Sequence, residues 1–282
     1  MSALAGVLAA LVLCLLVVSG VLMVRLRSAR KQISQALSAA RIEHTSLEAR
    51  AADLQRSNAE LEQFAYLASH DLQEPLRKVA SFCQLLQRRY AGKLDARADQ
   101  YIEFAVDGAK RMQALINDLL AFSRVGQTPA QPALVSSDTA LARARTNLAE
   151  EIEKSGATIE AGHLPLVLAE LPLLTAVFQN LLSNAVKFSG PSPPRIVVAA
   201  HRDGKQWLFS VTDYGIGIEP QYADRIFVLF QRLNERSAYP GTGVGLALCR
   251  KIIEYFGGRI WLDVNGEGTR FCFTLPGEED DD

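Results

Sequence analysis

Four clusters in this chain combine residue types that can do chemistry, and the first is built on one histidine. Ser69-His70-Asp71-Leu72-Gln73-Glu74-Pro75-Leu76-Arg77 sets an imidazole beside a carboxylate on a stretch with helical spacing. A carboxylate that holds the proton on one ring nitrogen leaves the other nitrogen the better nucleophile. Pro75 has no N–H to offer the Asp71 carbonyl, so the helix is expected to loosen just after the histidine. Taken alone, a solvent-facing histidine on an amphipathic helix is the simpler reading. What overturns it lies far downstream.

The second cluster, Gln179-Asn180-Leu181-Leu182-Ser183-Asn184-Ala185-Val186-Lys187-Phe188, falls in a helix predicted over 171–188. Asn180 and Asn184 stand one turn apart on a shared face, with Lys187 beside them. An amide oxygen can complete the shell of a magnesium ion that also holds phosphate oxygens, and a lysine can meet phosphate charge. By itself the pair reads more simply as buried asparagines capping a neighbouring loop. The third cluster, Asp213-Tyr214-Gly215-Ile216-Gly217-Ile218, directly follows the strand-like run Trp207–Thr212. A carboxylate at a strand end can accept from the exocyclic amine of adenine, and glycines let backbone approach the base. The fourth, Gly241-Thr242-Gly243-Val244-Gly245-Leu246, opens a helix predicted over Val244–Tyr255. Glycine-rich backbone at a helix N-terminus is an anion site. Neither glycine cluster matches a P-loop or a dinucleotide fingerprint. Residues 231–240, polar and following Phe230, are expected to form a mobile lid.

These groups need elements to position them. A second helix is predicted from about Ala98 to Arg124, with Tyr101, Phe104, Met112, Leu115, Leu119 and Phe122 on its apolar stripe. It pairs with the histidine helix across a polar turn near Gly92, and two such hairpins from a dimer make a four-helix bundle. Upstream, a heptad runs through Ile33, Ala40, Leu47, Leu54, Leu61 and Ala68, offset from Leu37, His44, Ala51, Asn58 and Ala65. Leucine at d and one asparagine at a favour a parallel two-stranded coil, with a plain single helix as the alternative. In this register His70 falls at f, away from the seam. Residues 3–24 carry Ser19 as their one polar side chain and are long enough to span a bilayer. Arg25, Arg27, Arg30 and Lys31 follow, which predicts an uncleaved single-pass anchor in an inner or plasma membrane, with the rest cytoplasmic. Little chain precedes the anchor, so no extracytoplasmic sensor is expected. Residues 126–132 read as a linker, and from Ala133 strands and helices alternate.

Lys and Arg number 30 against 31 acidic residues, a balance that gives no basic field for nucleic acid. Cys14, Cys83, Cys249 and Cys272 are scattered without metal-ligand spacing and are expected to be buried free thiols. The acidic end 278–282 reads as a solvated tail.

With these segments in place, the chain from about Arg56 to Pro276 resembles the sensor histidine kinases, whose five sequence boxes occur in order. The phosphoacceptor box is at His70, the N box at Asn180–Lys187, and the first glycine box at Asp213–Gly217. Arg225-Ile226-Phe227-Val228-Leu229-Phe230 looks like the F box, and Gly241–Leu246 like the second glycine box. The run from Phe64 to Arg77 is similar to the phytochrome-type subgroup. The expected protein is multidomain. A transmembrane anchor (1–25) and coiled-coil linker (26–63) lead into an all-α dimeric phosphoacceptor bundle (64–126). A C-terminal α/β sandwich of Bergerat type (133–276) and the acidic tail (277–282) complete it.

The resemblance also implies roles. His70 and Asp71 are catalytic, His70 Nε2 taking the γ-phosphoryl group of ATP while Asp71 holds the Nδ1 proton. Adenine sits at Asp213, and Asn184 holds Mg2+. Asn180, Lys187, Gly215, Gly217, Phe230, Gly241, Thr242, Gly243, Gly245 and Leu246 complete the cofactor site. The phosphoryl group would pass to an aspartate of a separate response regulator. Many members carry Thr or Asn four residues after the histidine to position water for dephosphorylating the regulator; here that residue is Glu74, so weak phosphatase activity is expected. A mechanical ATPase of gyrase, MutL or heat-shock chaperone type would share the nucleotide boxes but has no need of the His70 box. A dimeric scaffold without catalysis is the other alternative, against which every required residue is present. A membrane-tethered kinase that takes its input from a partner protein or from the bilayer is the preferred reading.

Overall fold

The computed structural model of the chain describes residues 71–126, 132–233, 241–264 and 268–277, with positions 23, 25, 41, 44–46, 48–50, 53, 56, 66, 67 and 69. His70, the apolar run 3–24 apart from Met23, most heptad positions, segment 234–240 and the tail 278–282 lie outside the described residues. Among the described residues, no helix is long and apolar enough to cross a membrane. The chain divides into two compact units, Met1–Leu61 and Glu62–Asp282.

In the first unit every described position is helical. Thr45 donates its hydroxyl to the Arg41 carbonyl at 3.1 Å, and His44 Nδ1 meets Glu48 at 3.3 Å one turn on.

The second unit opens with an antiparallel hairpin of α1, helical over residues 71–90, and α2, Ala96–Arg124. Asp95 caps α2 by accepting from the Ala98 N–H at 2.8 Å. Gly92 takes the left-handed φ of 70° that the turn demands and donates its N–H to Asp99. Gln73 near the start of α1 donates to Asn117 late in α2 at 2.9 Å, which fixes the antiparallel pairing. Leu76, Ala80, Val106, Ala109 and Leu120 are buried. The expected loosening at Pro75 is corrected: α1 runs through it unbroken. Proline removes one bond from the ladder. The bonds on either side, the burial of Leu76 and Ala80, and the Glu74–Lys78 pair at 2.8 Å hold the turn.

The α/β part follows with β1 (Ala133–Ser136), α3 (Ser137–Asn147), α4 (Ala149–Ser155), β2 (Thr158–Ala161), β3 (Leu166–Ala169) and α5 (Leu171–Lys187). Then come β4 (Arg195–Asp203), β5 (Gln206–Asp213), α6 (Gly245–Tyr255), β6 (Ile260–Asp263) and β7 (Thr269–Pro276). Five strands form one sheet in the order β2-β4-β5-β7-β6, with β2 parallel to β4 and every other pair antiparallel. β1 and β3 pair separately. Helix α5 forms because Leu174, Val177, Phe178, Leu181, Leu182 and Ala185 recur at helical spacing and bury one face. Phe178 meets Phe209 and Phe273 edge-on, at 6.2 and 6.0 Å. Those two rings, opposite each other on β5 and β7, stack at 4.8 Å. This aromatic trio ties the helix layer to the sheet. Cys249 and Cys272 are buried and Cys83 half-buried, all as free thiols. Burial pushes the Cys249 thiol up to about 12, so it is inert.

Candidate functional site

The apolar face of α5 faces the core, which leaves Asn180, Asn184 and Lys187 on the wall of a cavity of about 840 Å³. That volume lies within the usual range of ligand pockets, roughly 300–1,000 Å³. Asn180 Nδ2 donates back to the Ala176 carbonyl at 2.9 Å, so its side-chain oxygen is turned outward from the helix. That oxygen lies against Gly245, where a Cβ would collide with it. Glycine there lets the N-terminus of α6 approach α5 without displacing the Asn180 side chain.

At the far end of β5, Asp213 is only 6% exposed. Its Oδ1 accepts from the Gly215 N–H at 3.0 Å, and Thr269 donates to it from both side chain and backbone. Burial pushes the Asp213 carboxyl up to about 6, although these three hydrogen bonds pull the other way. Gly215 does not itself line the cavity; a Cβ there would strike the Phe188 carbonyl oxygen, which also accepts from the Ile216 N–H. Ile216, Ile218, Tyr222, Ile226 and Phe271 make an apolar wall beside the carboxylate. A buried acceptor on an apolar slot fits a flat heteroaromatic ring that carries an N–H donor.

The same cavity also carries groups suited to negative charge. Gly241, Thr242, Gly243, Gly245 and Leu246 line it at the start of the eleven-residue α6. The Val244 N–H donates to the Thr242 hydroxyl at 3.3 Å. Burial, and after it the nearby Arg232 guanidinium, holds the Lys187 ammonium below the usual lysine range. Two cations on one wall, with helix N–H groups beside them, form a phosphate-binding arrangement. Among the described residues, no group of three His, Cys, Asp or Glu side chains is placed to hold a metal ion. Asn180 and Asn184 line the cavity, and an amide oxygen there is the kind of single ligand that suits a magnesium ion carried in with phosphates.

The structure thus brings Asn180, Asn184, Lys187, Asp213 and Gly217 together with the second glycine box. Phe230 stands outside the cavity lining and is 55% exposed. It adopts a left-handed φ of 62°, a strained conformation for a bulky residue, and its N–H donates to the Gly243 carbonyl at 3.0 Å. Asp71 is exposed on the first described turn of α1, also away from the cavity.

Beyond the motifs read from the sequence, the cavity lining includes Arg232, Thr269 and Asp118. Arg232, expected only within the lid, donates to the Gly241 carbonyl at 2.6 Å. Thr269 begins β7 with its hydroxyl on Asp213. Asp118 comes from α2 of the hairpin and accepts from the Thr242 hydroxyl at 2.6 Å. The pair Gly268-Thr269 carries a usable signal, a glycine followed by a strand residue, whereas nothing local marks Asp118.

Comparison with known proteins follows these two parts. Residues 60–128 match the family model "His Kinase A (phospho-acceptor) domain", and residues 169–279 match "Histidine kinase-, DNA gyrase B-, and HSP90-like ATPase". Cyanobacterial phytochrome A of Nostoc sp. is 52% identical over 225 residues, which cover 79% of this chain and 29% of that protein. The methanogenesis regulatory histidine kinase FilI of Methanothrix harundinacea is 33% identical over 233 residues, 82% of this chain and 26% of that protein. The chain therefore spans under a third of the length of these relatives. Among solved structures, full-length ShkA in complex with AMPPNP superposes with a TM-score of 0.60 at 27% identity, covering 76% of this chain and 45% of that one. A phosphoacceptor hairpin followed by this ATPase-type sandwich, matched in that order, makes the chain a member of the sensor histidine kinases.

Proposed function

We propose that this protein binds ATP in the cavity and phosphorylates itself on His70. The observation that carries the reading is the mixed lining of one cavity, which brings a buried carboxylate and apolar side chains together with two cations and the start of α6. Asp213 accepts from the adenine amine, Lys187 and the start of α6 meet the phosphates, and Asn184 with Asn180 faces a magnesium ion that neutralises phosphate charge. His70 Nε2 forms a bond to the γ-phosphorus as the bond to the bridging oxygen breaks and ADP departs; Asp71 retains the Nδ1 proton. Such a transfer needs alignment and charge stabilisation more than covalent help from the protein. The ShkA complex with AMPPNP supports the choice of nucleotide.

The phosphoryl group then passes to an aspartate of a separate response regulator. Phosphatase activity toward that partner is weak, because the residue four after His70 is Glu74, an acceptor engaged with Lys78 at 2.8 Å that does not offer a donor to water. The working form is a homodimer. Exposed Phe82, Leu85, Tyr101 and Phe104 on the hairpin support this. Residues 1–25 anchor the chain in the membrane, 26–63 form the coil, and a partner protein or the bilayer supplies the input.

The test is incubation of the full chain with γ-labelled ATP and Mg2+ beside His70→Gln. Acid-labile, alkali-stable label on the wild type and none on the variant is expected. Intact nucleotide binding without label would instead favour a scaffold that only dimerises and binds a regulator.

A further inference from the structure

We propose that Asp118 is a built-in rival of the nucleotide's phosphates. Its hydrogen bond with Thr242 latches α2 of the hairpin onto the second glycine box, and latch and bound triphosphate exclude each other. This regulation rests on the reading of the cavity as a nucleotide site.

Four observations carry it. Asp118 lines the same cavity as Lys187, Gly241 and Gly243, so its carboxylate lies within the region assigned to phosphate. It is tied there by the 2.6 Å bond from Thr242 Oγ1, a contact that bridges 124 residues of sequence. The Thr242 hydroxyl already accepts the Val244 N–H, and its single proton can go to one acceptor, either Asp118 or a phosphate oxygen. Around this bond, the end of α2 rests on the sandwich through a small set of side chains. Val125 enters the core, and the Lys251 ammonium lies 4.5 Å over the Phe122 ring.

A carboxylate and a triphosphate cannot share one half-buried subsite without strong repulsion. Burial raises the Asp118 carboxyl, and the Thr242 bond partly offsets that rise. When nucleotide arrives, the Thr242 proton turns to phosphate and Asp118 is expelled. The last turns of α2 then lose their polar hold on the glycine box. By linkage, the latch weakens nucleotide binding by the same factor as nucleotide weakens the latch. The resting arrangement is therefore one in which the nucleotide part is held on its own hairpin until ATP releases it.

The experiment measures AMPPNP binding to the full chain in wild type, Asp118→Ala and Asp118→Asn, and amide hydrogen exchange across residues 118–126 with and without AMPPNP. Asp118→Ala is expected to bind about tenfold more tightly, the worth of one hydrogen bond to a charged group. Asp118→Asn, which keeps an acceptor but not the charge, falls between. In the wild type, AMPPNP speeds exchange over 118–126; in Asp118→Ala exchange is already fast without it. Equal or weaker binding by Asp118→Ala, or exchange that slows or stays unchanged when wild type binds AMPPNP, overturns the latch. If Asp118→Ala does not fold, the wild-type exchange decides alone. Absence of AMPPNP binding in both wild type and Asp118→Ala would remove the nucleotide reading itself, and the latch with it.

Discussion

The hairpin and the α/β part dispose of their apolar side chains in opposite ways. In the α/β part, Phe178, Phe209 and Phe273 are fully buried and touch one another across the helix and sheet layers. In the hairpin, Phe82 and Phe104 are 66% and 60% exposed, and the buried set is small, with two alanines among Leu76, Ala80, Val106, Ala109 and Leu120. One region finishes its core within a single chain. The other leaves an apolar face of the kind that marks an interaction surface. Under the proposed function the two regions answer to different partners: the sandwich to a nucleotide entering its cavity, the hairpin to a second copy of the chain.

That contrast can be broken by substitution. Phe178→Ala opens a cavity in a closed core and is expected to cost about 3–5 kcal/mol of stability, measured by chemical denaturation. A cost under about 1 kcal/mol would mean the trio is not the centre of that core. Phe82→Ala or Phe104→Ala is expected to leave the fold of the single chain within about 0.5 kcal/mol while weakening self-association by about 2 kcal/mol, measured by sedimentation equilibrium. Unchanged association would sever the apolar face from dimerisation.

The third test is pH. Because Asp213 titrates near 6, its carboxylate is mostly ionised at pH 7 and mostly protonated at pH 5. AMPPNP affinity should fall about tenfold between those values beyond any change shared by Asp213→Asn, in which this step disappears. Stability moves the other way. The folded carboxyl lies above its ordinary value of 3.8, so the burial penalty is fully present above about 6 and is relieved as pH falls toward 3.8. The smallest effect belongs to the hairpin surface: Glu74→Ala removes an exposed pair with Lys78 and should cost only about 0.3–0.5 kcal/mol in a thermal melt. A larger loss would show that this pair, and not the burial of Leu76 and Ala80, carries the helix past Pro75.

How legible the molecule is in its sequence depends on whether the signal is local. Helix α5 is predicted to within a residue, because its apolar stripe and its polar face of Asn180, Asn184 and Lys187 are consequences of helical spacing within one segment. Asp213 at the end of β5 and the glycines opening α6 are legible for the same reason, each being a residue type at a chain position with only one sensible neighbour. Pro75 misleads because a local rule about one missing hydrogen bond meets a helix held by burial elsewhere along it.

Phe230 shows the limit from the other side. Its membership of the F box is readable, but its strained backbone and its bond to Gly243 arise only once the two segments meet. By itself the sequence determined the two kinds of region, their order, and the residues that crowd one cavity from α5, β5 and α6. What only the tertiary structure decided was the company those residues keep: the apolar wall beside Asp213, Arg232 beside Lys187, and Asp118 across from Thr242. A contact between α2 and a glycine loop 124 residues away leaves no periodicity in either segment. It exists because folding has already closed the intervening chain, and that cost is met by burial spread over the whole core rather than by anything written at the two ends.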